Sequence, residues 1–352
     1  MQPHSILARS AVYTLLLAGA VIFLFPFLWL VSTSLKPIEQ TMSTPPTWLP
    51  RASYATLDGR RTEVTLDHPV ADPPGYWHVT ERQVSGTQPD QLTSAVLPVT
   101  AIETRIQPRW DNYRTALATM GGPGTTARGG TTSLGADAQV SFFTFLGNTL
   151  LVCVLGALGA VFSNAIIAYG FSRIRWRGRD LLFGLALATM MVPFPVLMVP
   201  LYGVFKGLSW IGTLKPLWVP AFFGNAFYIF LLRQFFRTIP EELSEAARID
   251  GCSEWTIFWR IILPLSKPAL AVVALFHFLW GWNDFMGPLL FLTRKHTFTL
   301  ALALQNYQSQ GGGVQWHYLM AATVVIILPV LVLFFFTQKT FIQGIVTTGL
   351  KG

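Results

Sequence analysis

Charge is scarce in this chain: only 12% of its 352 residues are Asp, Glu, Lys or Arg. A water-soluble globular domain carries about a quarter, so a chain surrounded by water on every side is excluded. Cysteine is scarcer still. Cys153 and Cys252 fall in an apolar run and a polar loop, which excludes a bond between them and any cysteine metal spacing. Six histidines are scattered without an H-x-x-x-H or H-E-x-x-H pattern, so zinc-hydrolase chemistry has no ligands here. No G-x-x-x-x-G-K-[ST] loop exists to cradle a nucleotide's phosphates. The net charge is +8, yet no basic stripe interleaved with aromatics lies on a polar face, and nucleic acid is excluded as a partner.

Apolar side chains make up 52% of the chain, and the mean hydropathy is +0.47. Runs of about 20 apolar residues, enough to cross roughly 30 Å of hydrocarbon, recur six times: residues 12–35, 143–168, 181–204, 217–235, 268–290 and 319–341. The first is longer than a secretory signal's apolar core and no small-residue cleavage site follows it. It reads as a retained span. Arg173, Arg175, Arg177 and Arg179 crowd the loop after the second run, and Arg237, Arg248, Arg260 and Lys267 the loop after the fourth. By the positive-inside rule these loops and both termini face the cytoplasm. The fold class expected is an all-α polytopic membrane protein with six transmembrane helices.

Residues 36–141 differ in composition and hold 10 of the 17 acidic residues. TEVTLDHPV, GYWHVTERQV and SAVLPVTAIETRI alternate in the manner of strands, which predicts a β-rich extracytoplasmic insertion at about 51–109. The Gly- and Thr-rich stretch 121–137 reads as a linker. A partner-binding or lid role for the insertion and a plain surface addition both stay open.

Two polar or broken features lie at membrane depth. MMVPFPVLMVPLY carries Pro193, Pro195 and Pro200, and each proline frees a carbonyl that lipid cannot satisfy. This places a hinge or part of a translocation path there, against the alternative of ordinary helix prolines. GWND (Gly281, Trp282, Asn283, Asp284) holds the single acidic residue within any of the six runs. Asp284 is either an acceptor for a substrate hydroxyl or a structural brace, near the bend expected at Pro288.

Between the fourth and fifth runs lies RTIPEELSEAARIDGCSEWTIFWRIILP. Thr238 and Glu241 have capping-box spacing and Pro240 suits a first turn. A short helix to about Asp250 is expected, with Leu243, Ala246 and Ala247 on one apolar face and Glu245, Arg248 and Asp250 as a charged edge. Gly251 can end it in the left-handed conformation. Ser253 can cap a second helix over 254–263, so that a push on this element passes rigidly into the fifth span.

Glu245-Ala246-Ala247, then three residues, Gly251, nine residues, and Ile261-Ile262-Leu263-Pro264 resembles the EAA motif of permease subunits in binding-protein-dependent ABC importers. PPTWLP, WDNY, VPFPVLMVPLY, LPLSKPALA, WNDF and the tail FFFTQKTFIQGIVTTGLKG extend that resemblance to the MalG-type carbohydrate permeases over nearly the whole chain except about 51–109 and the Gly-rich link. The resemblance implies the MetI/MalG-like permease fold and a domain plan of 1–35 (N-terminus and first span), 36–141 (outer loop), 142–341 (core, with coupling loop 238–264) and 342–352 (cytoplasmic tail). It implies coupling to an ATPase through Glu245, Ala246, Ala247, Arg248, Asp250, Gly251, Leu263 and Pro264. It implies a MalF-like second permease, two MalK-like ATP-binding subunits carrying ATP and Mg, and an extracytoplasmic sugar-binding protein, in the bacterial inner membrane, with no cofactor and no catalysis on this chain. Sugar contacts would fall on Trp280, Trp282, Asn283 and Asp284, beside Pro193 and Pro195. Two rival classes remain from the residues alone: an ion-coupled secondary transporter, poorly provided with one carboxylate, and a membrane enzyme using Asp284 with His277. A non-sugar solute such as glycerol phosphate is the alternative within the family.

Overall fold

The computed structural model describes residues 6–57, 59–70, 74–82, 93–121, 140–309 and 315–349. The linker reading of 121–137 therefore lies outside the described residues, apart from Gly121. Two compact units are present, Met1–Thr119 with Gln308–Val325 and Met120–Tyr307 with Ile326–Gly352.

The first unit opens with α1 (Ile6–Ser34), apolar around its whole circumference, as a helix surrounded by lipid or by other helices must be. At its end the Trp29 and Phe25 rings each meet Trp48 edge-on at 5.0 Å. Five strands follow: β1 (Arg51–Leu57), β2 (Arg60–Pro69), β3 (Tyr76–Glu81), β4 (Ser94–Pro98) and β5 (Glu103–Ile106). They form one antiparallel sheet in the order β4-β3-β2-β1-β5. Period-two alternation puts Ala55, Leu57, Val64 and Val79 on one face, packed with Trp77 and Leu97. Glu63, on the other face, receives Arg82 at 2.7 Å and also pairs with Arg109. The strand reading missed β1. It also took SAVLPVTAIETRI as one segment, whereas a turn at Val99–Ala101 after Pro98 divides it into β4 and β5 at opposite sheet edges. The unit continues into α2 (Asp111–Gly121), where Asn112 donates from Nδ2 to the carbonyls of Ser34 and Lys36 at 2.8 and 2.9 Å.

The second unit is built around α3 (Phe142–Ser172), a 31-residue helix capped by Ser141. Then come α4 (Arg179–Ala188), α5 (Phe194–Gly207), α6 (Lys215–Trp218), α7 (Ala226–Thr238), α8 (Glu242–Ile249), α9 (Glu254–Ile257), α10 (Leu263–Leu265), α11 (Lys267–Asn283) and α12 (Met286–Phe291). After α13 (Leu300–Ser309) comes α14 (Trp316–Gly349). Both α7 and α11 pack on α3. Leu232, Phe236, Ile257, Phe258, Ile262 and Val273 are fully buried together. Truncating a phenylalanine in such a core costs about 3–5 kcal/mol.

Among the described residues, four stretches are long and apolar enough to cross a membrane: Arg9–Ser34, Phe142–Ser172, Lys215–Thr238 and Trp316–Gln338. Two bent pairs bring the number to six if each is one span. The third run is thus not a single straight helix, and the fifth, 268–290, is interrupted at Asp284–Phe285 between α11 and α12. Arg179–Met191 and Phe194–Gly207 meet at 101°, with the break at Val192-Pro193. Glu254–Leu265 and Lys267–Asn283 meet at 78°.

Candidate functional site

The turn out of α7 is dictated locally. Ile239 is extended (ψ 130°), the conformation forced on a residue that precedes proline. Thr238 ends α7 with its Oγ1 donating to Phe235 O at 2.7 Å, and the first residue of α8 has no side-chain cap. The capping box of Thr238 and Glu241 is therefore absent. Gly251 has φ +79°. Gly251 N donates to Arg248 O at 3.0 Å and Cys252 N to Ala247 O at 2.9 Å, the paired bonds of a Schellman ending. Ser253 Oγ accepts from Thr256 N at 3.2 Å and caps α9. The second helix is not α-helical throughout: residues Phe258–Ile262 form a widened turn. It precedes Pro264, whose ring cannot approach the carbonyl four residues back.

Burial in α8 also differs from the expected face. Ser244 and Ala247 turn inward, whereas Leu243 and Ala246 face outward with Glu245, Arg248 and Asp250. Ile249 is 86% exposed, and Trp255 is exposed as well. Leu263 is half-buried and Pro264 exposed.

Four hydrogen bonds not foreseen from sequence fix this elbow. Glu254 accepts from Arg248 Nε at 2.7 Å and from the Tyr169 hydroxyl at 2.6 Å. Arg173 donates from Nη2 to the carbonyls of Phe236 and Ile239, where the chain leaves α7. Burial pushes the Arg173 guanidinium below its ordinary value. Arg173 and Glu254 were visible as charges, but apart from Arg248, six residues from Glu254, their partners lie 63 to 85 residues away.

Further along, three helix breaks open onto one cavity of about 430 Å³. The break in the third run contributes Phe194, and the break between residues 223 and 226 contributes Gly224 and Asn225. The third contributes Asp284. Asn225 Oδ1 caps α7 by accepting from Phe227 N at 3.0 Å, and Asn225 N donates to Asn164 Oδ1 at 2.6 Å. Asp284 does not sit within a helix: it follows α11, and its Oδ1 accepts from Gly287 N at 3.0 Å, opening α12. The helix is interrupted at Asp284–Phe285 rather than at Pro288, and this bond ties Asp284 to the start of α12. Trp280, 57% exposed, and Asp284 line the cavity with Tyr228 and His277.

The remaining candidates stand apart from it. Trp282 is buried against Phe278, and Asn283 donates back to Leu279 O at 2.8 Å. Pro193 and Pro195 start α5 but do not line the cavity. His277 sits edge to face with Tyr228 at 5.9 Å. It fits because position 156 on α3 is glycine, where a Cβ would stand 2.6 Å from His277 Nε2.

Discontinuous membrane helices around a mostly apolar cavity that carries Asn225, Tyr228, His277 and Asp284 are the arrangement of a membrane transport subunit. Residues 164–347 match the family model of the binding-protein-dependent transport system inner membrane component, and the chain belongs to that family. It is a permease component of an ABC importer, not an enzyme. The arabinooligosaccharides transport system permease protein AraQ of Bacillus subtilis (strain 168) is 36% identical over 211 residues, 60% of this chain and 74% of AraQ. The protein LplC of the same organism is 33% identical over 229 residues, 60% of this chain and 75% of LplC. The sn-glycerol-3-phosphate transport system permease protein UgpE of Yersinia pestis bv. Antiqua (strain Antiqua) is 33% identical over 206 residues, 58% of this chain and 73% of UgpE. The crystal structure of a bacterial ABC transporter involved in the import of the acidic polysaccharide alginate contains a chain of the same fold. It superposes with a TM-score of 0.63 at 20% identity, over 96% of this chain and 99% of that one.

Proposed function

We propose that the chain moves a neutral sugar or oligosaccharide inward by alternating access, driven by ATP and Mg on a separate MalK-like subunit pair. The bent pair Arg179–Met191 and Phe194–Gly207 counts as one span and α11 with α12 as another, giving six, with both termini in the cytoplasm of a bacterial inner membrane. Residues 36–141 lie outside, 142–341 form the permease core and 342–352 end in the cytoplasm. A MalF-like second permease completes the path, and an extracytoplasmic binding protein delivers the sugar.

One observation supports this most: α11 begins at the elbow and ends at the cavity. Its 17 residues span about 25 Å at 1.5 Å per residue, so a displacement of the elbow arrives at Trp280 and Asp284 without an intervening loop. Glu245, Ala246, Ala247, Arg248, Asp250, Gly251, Leu263 and Pro264 are the surface for the ATPase, and the exposed Ile249 and Trp255 supply apolar area to it. The substrate class follows from relatives named for arabinooligosaccharides and from the cavity's lining. Among the described residues that line it there is no Lys or Arg, and Asp284 is present. A phosphate ester, as in the relatives named for glycerol phosphate, would meet a carboxylate and no cation. An aromatic face at Trp280 with acceptors at Asn225 and Asp284 suits hydroxyls.

The test uses the purified complex with its binding protein. Glu245→Lys and Gly251→Asp are expected to leave membrane insertion and assembly intact while abolishing sugar-stimulated ATP hydrolysis. Full stimulation in both variants would refute the coupling role.

A further inference from the structure

A second cavity, of about 520 Å³, opens where the end of α3, the start of α4 and the exit of α7 meet. Its lining carries Arg173, Arg175, Arg179, Arg233 and Arg237 against two carboxylates, Glu241 and Glu242, an excess of three positive charges. We propose that this pocket binds a phosphate oxyanion, carried by the headgroup of an anionic phospholipid at the membrane surface. The inference goes beyond sugar transport and does not depend on it.

Two of the arginines are deeply placed, Arg173 at 7% and Arg233 at 8% exposure. Burying a guanidinium without a firm counter-charge is costly, and the internal partners are incomplete. Arg173 has Nε buried with no hydrogen-bond partner. Arg233 Nε donates to Phe171 O at 3.1 Å and its guanidinium lies over the Phe183 ring, but its counter-charge is weak: Nη2 reaches Asp180 only at 3.4 Å, and that carboxylate is exposed and shared with Arg179 at 3.4 Å. The outer carboxylate Glu241 stands 3.3 Å from Arg175. Guanidinium forks grouped in this way match the tetrahedral oxygens of a phosphate.

The surroundings favour a lipid over a free anion. Leu181 and Leu182, in the first turn of α4, are exposed next to the arginines. Trp176 lies in the same loop with its Nε1 donating to Gly170 O at 3.1 Å, in the manner of an interfacial tryptophan. An acyl chain along α4 would place its headgroup at the pocket, where each basic residue adds to the attraction of an anionic surface.

The experiment uses the assembled transporter, stripped of lipid in detergent and titrated with dioctanoyl phosphatidylglycerol, dioctanoyl phosphatidylcholine or inorganic phosphate, with bound ligand read by native mass spectrometry. Arg175→Gln with Arg237→Gln is the chosen variant, since both side chains are exposed and the fold-bearing Arg173 is untouched. Arg260→Gln, outside the pocket, is the control. Wild type and the control are expected to bind the glycerol lipid, and the double variant to lose roughly tenfold or more in affinity. Competition by inorganic phosphate would support the oxyanion site and add the free ion as a ligand; its failure to compete would assign the site to lipid alone. Equal binding of phosphatidylglycerol by wild type and double variant, or equal binding of the choline lipid, would overturn the proposal.

Discussion

Tyr169 and Glu254 are joined by a 2.6 Å hydrogen bond from the phenol to the carboxylate, which links the long central helix α3 to the second half of the elbow. The same carboxylate takes Arg248 from the first half. Glu254 therefore locks both halves of the elbow onto the bundle. The Arg248–Glu254 pair is partly exposed, at 35% and 42% of the side chains, and such pairs contribute less than about 1 kcal/mol. The Tyr169 bond lies deeper, and losing a bond to a charged acceptor costs about 1.5–3 kcal/mol. Tyr169→Phe is thus expected to lower thermal stability more than Arg248→Gln, and to weaken sugar-stimulated ATP hydrolysis in the assembled complex. If the order of the two variants were reversed in a melting experiment, the clamp would not run through Tyr169.

Gly251 offers a cleaner separation of backbone from packing. An added Cβ there meets no atom within 4 Å, so the cost of substitution is conformational, about 1–2 kcal/mol for an ordinary L-residue in the left-handed region. Asparagine enters that region more readily than alanine, and valine least. Coupled ATP hydrolysis is expected to fall in the order Gly, Asn, Ala, Val. An alanine variant outperforming asparagine would show that the left-handed turn does not govern the elbow.

At Gly156 the reverse holds, because space decides. A methyl group would stand 2.6 Å from His277 Nε2, and forcing volume into a packed helix contact costs about 1–3 kcal/mol. Gly156→Ala should destabilise the protein, and adding His277→Ala should recover part of the loss. The double-mutant cycle measures the coupling, expected at about 0.5–3 kcal/mol. Strict additivity would mean that the two helices adjust without touching at this point.

Lys36 is fully buried with its ammonium 3.9 Å from the Trp29 ring centroid and Nζ without a hydrogen-bond partner among the described residues. Burial holds its pKa below the ordinary 10.5. A base depressed by folding binds protons more weakly in the folded state, so stability rises with pH between the folded value and 10.5. Lys36→Met removes that dependence while keeping the volume. The difference in melting temperature, variant minus wild type, should shrink as pH approaches 10.5. A difference independent of pH would show that the ammonium is not desolvated.

Much of the elbow was legible because its signals are local. Pro240, Gly251 and Ser253 each dictate one backbone event within three residues of themselves, and the helix end and second cap lie where those residues put them. The breaks were less so. WNDFMGPLL is apolar enough to pass as continuous helix, and hydropathy has no term for Asp284 folding back onto Gly287 N. The Thr238–Glu241 spacing matched a capping box, but Thr238 satisfied its hydroxyl within α7 first. Contacts such as Arg173 with the Phe236 and Ile239 carbonyls depend on which helices meet, which no short window contains. β1 failed for a related reason: RASYATL mixes small and polar residues, and its strand character comes from pairing with β2 and β5.

Asp284 tests where bracing ends and substrate contact begins. Its Oδ1 accepts from Gly287 N, a cap whose removal costs about 1 kcal/mol, and it lines the cavity with Trp280. Asparagine keeps an acceptor oxygen at the same reach and removes the charge. Asp284→Asn should therefore melt within about 0.5 kcal/mol of wild type, while Asp284→Ala loses the cap. Trp280 is exposed to the cavity and braces little, so Trp280→Ala should leave melting nearly unchanged and reduce sugar uptake several-fold, by roughly the 0.5–1.5 kcal/mol of an aromatic contact. If uptake by Asp284→Asn equals wild type, the carboxylate serves α12 alone and the sugar path on this chain rests on Trp280 and Asn225. If uptake falls while melting holds, the charge itself meets the substrate.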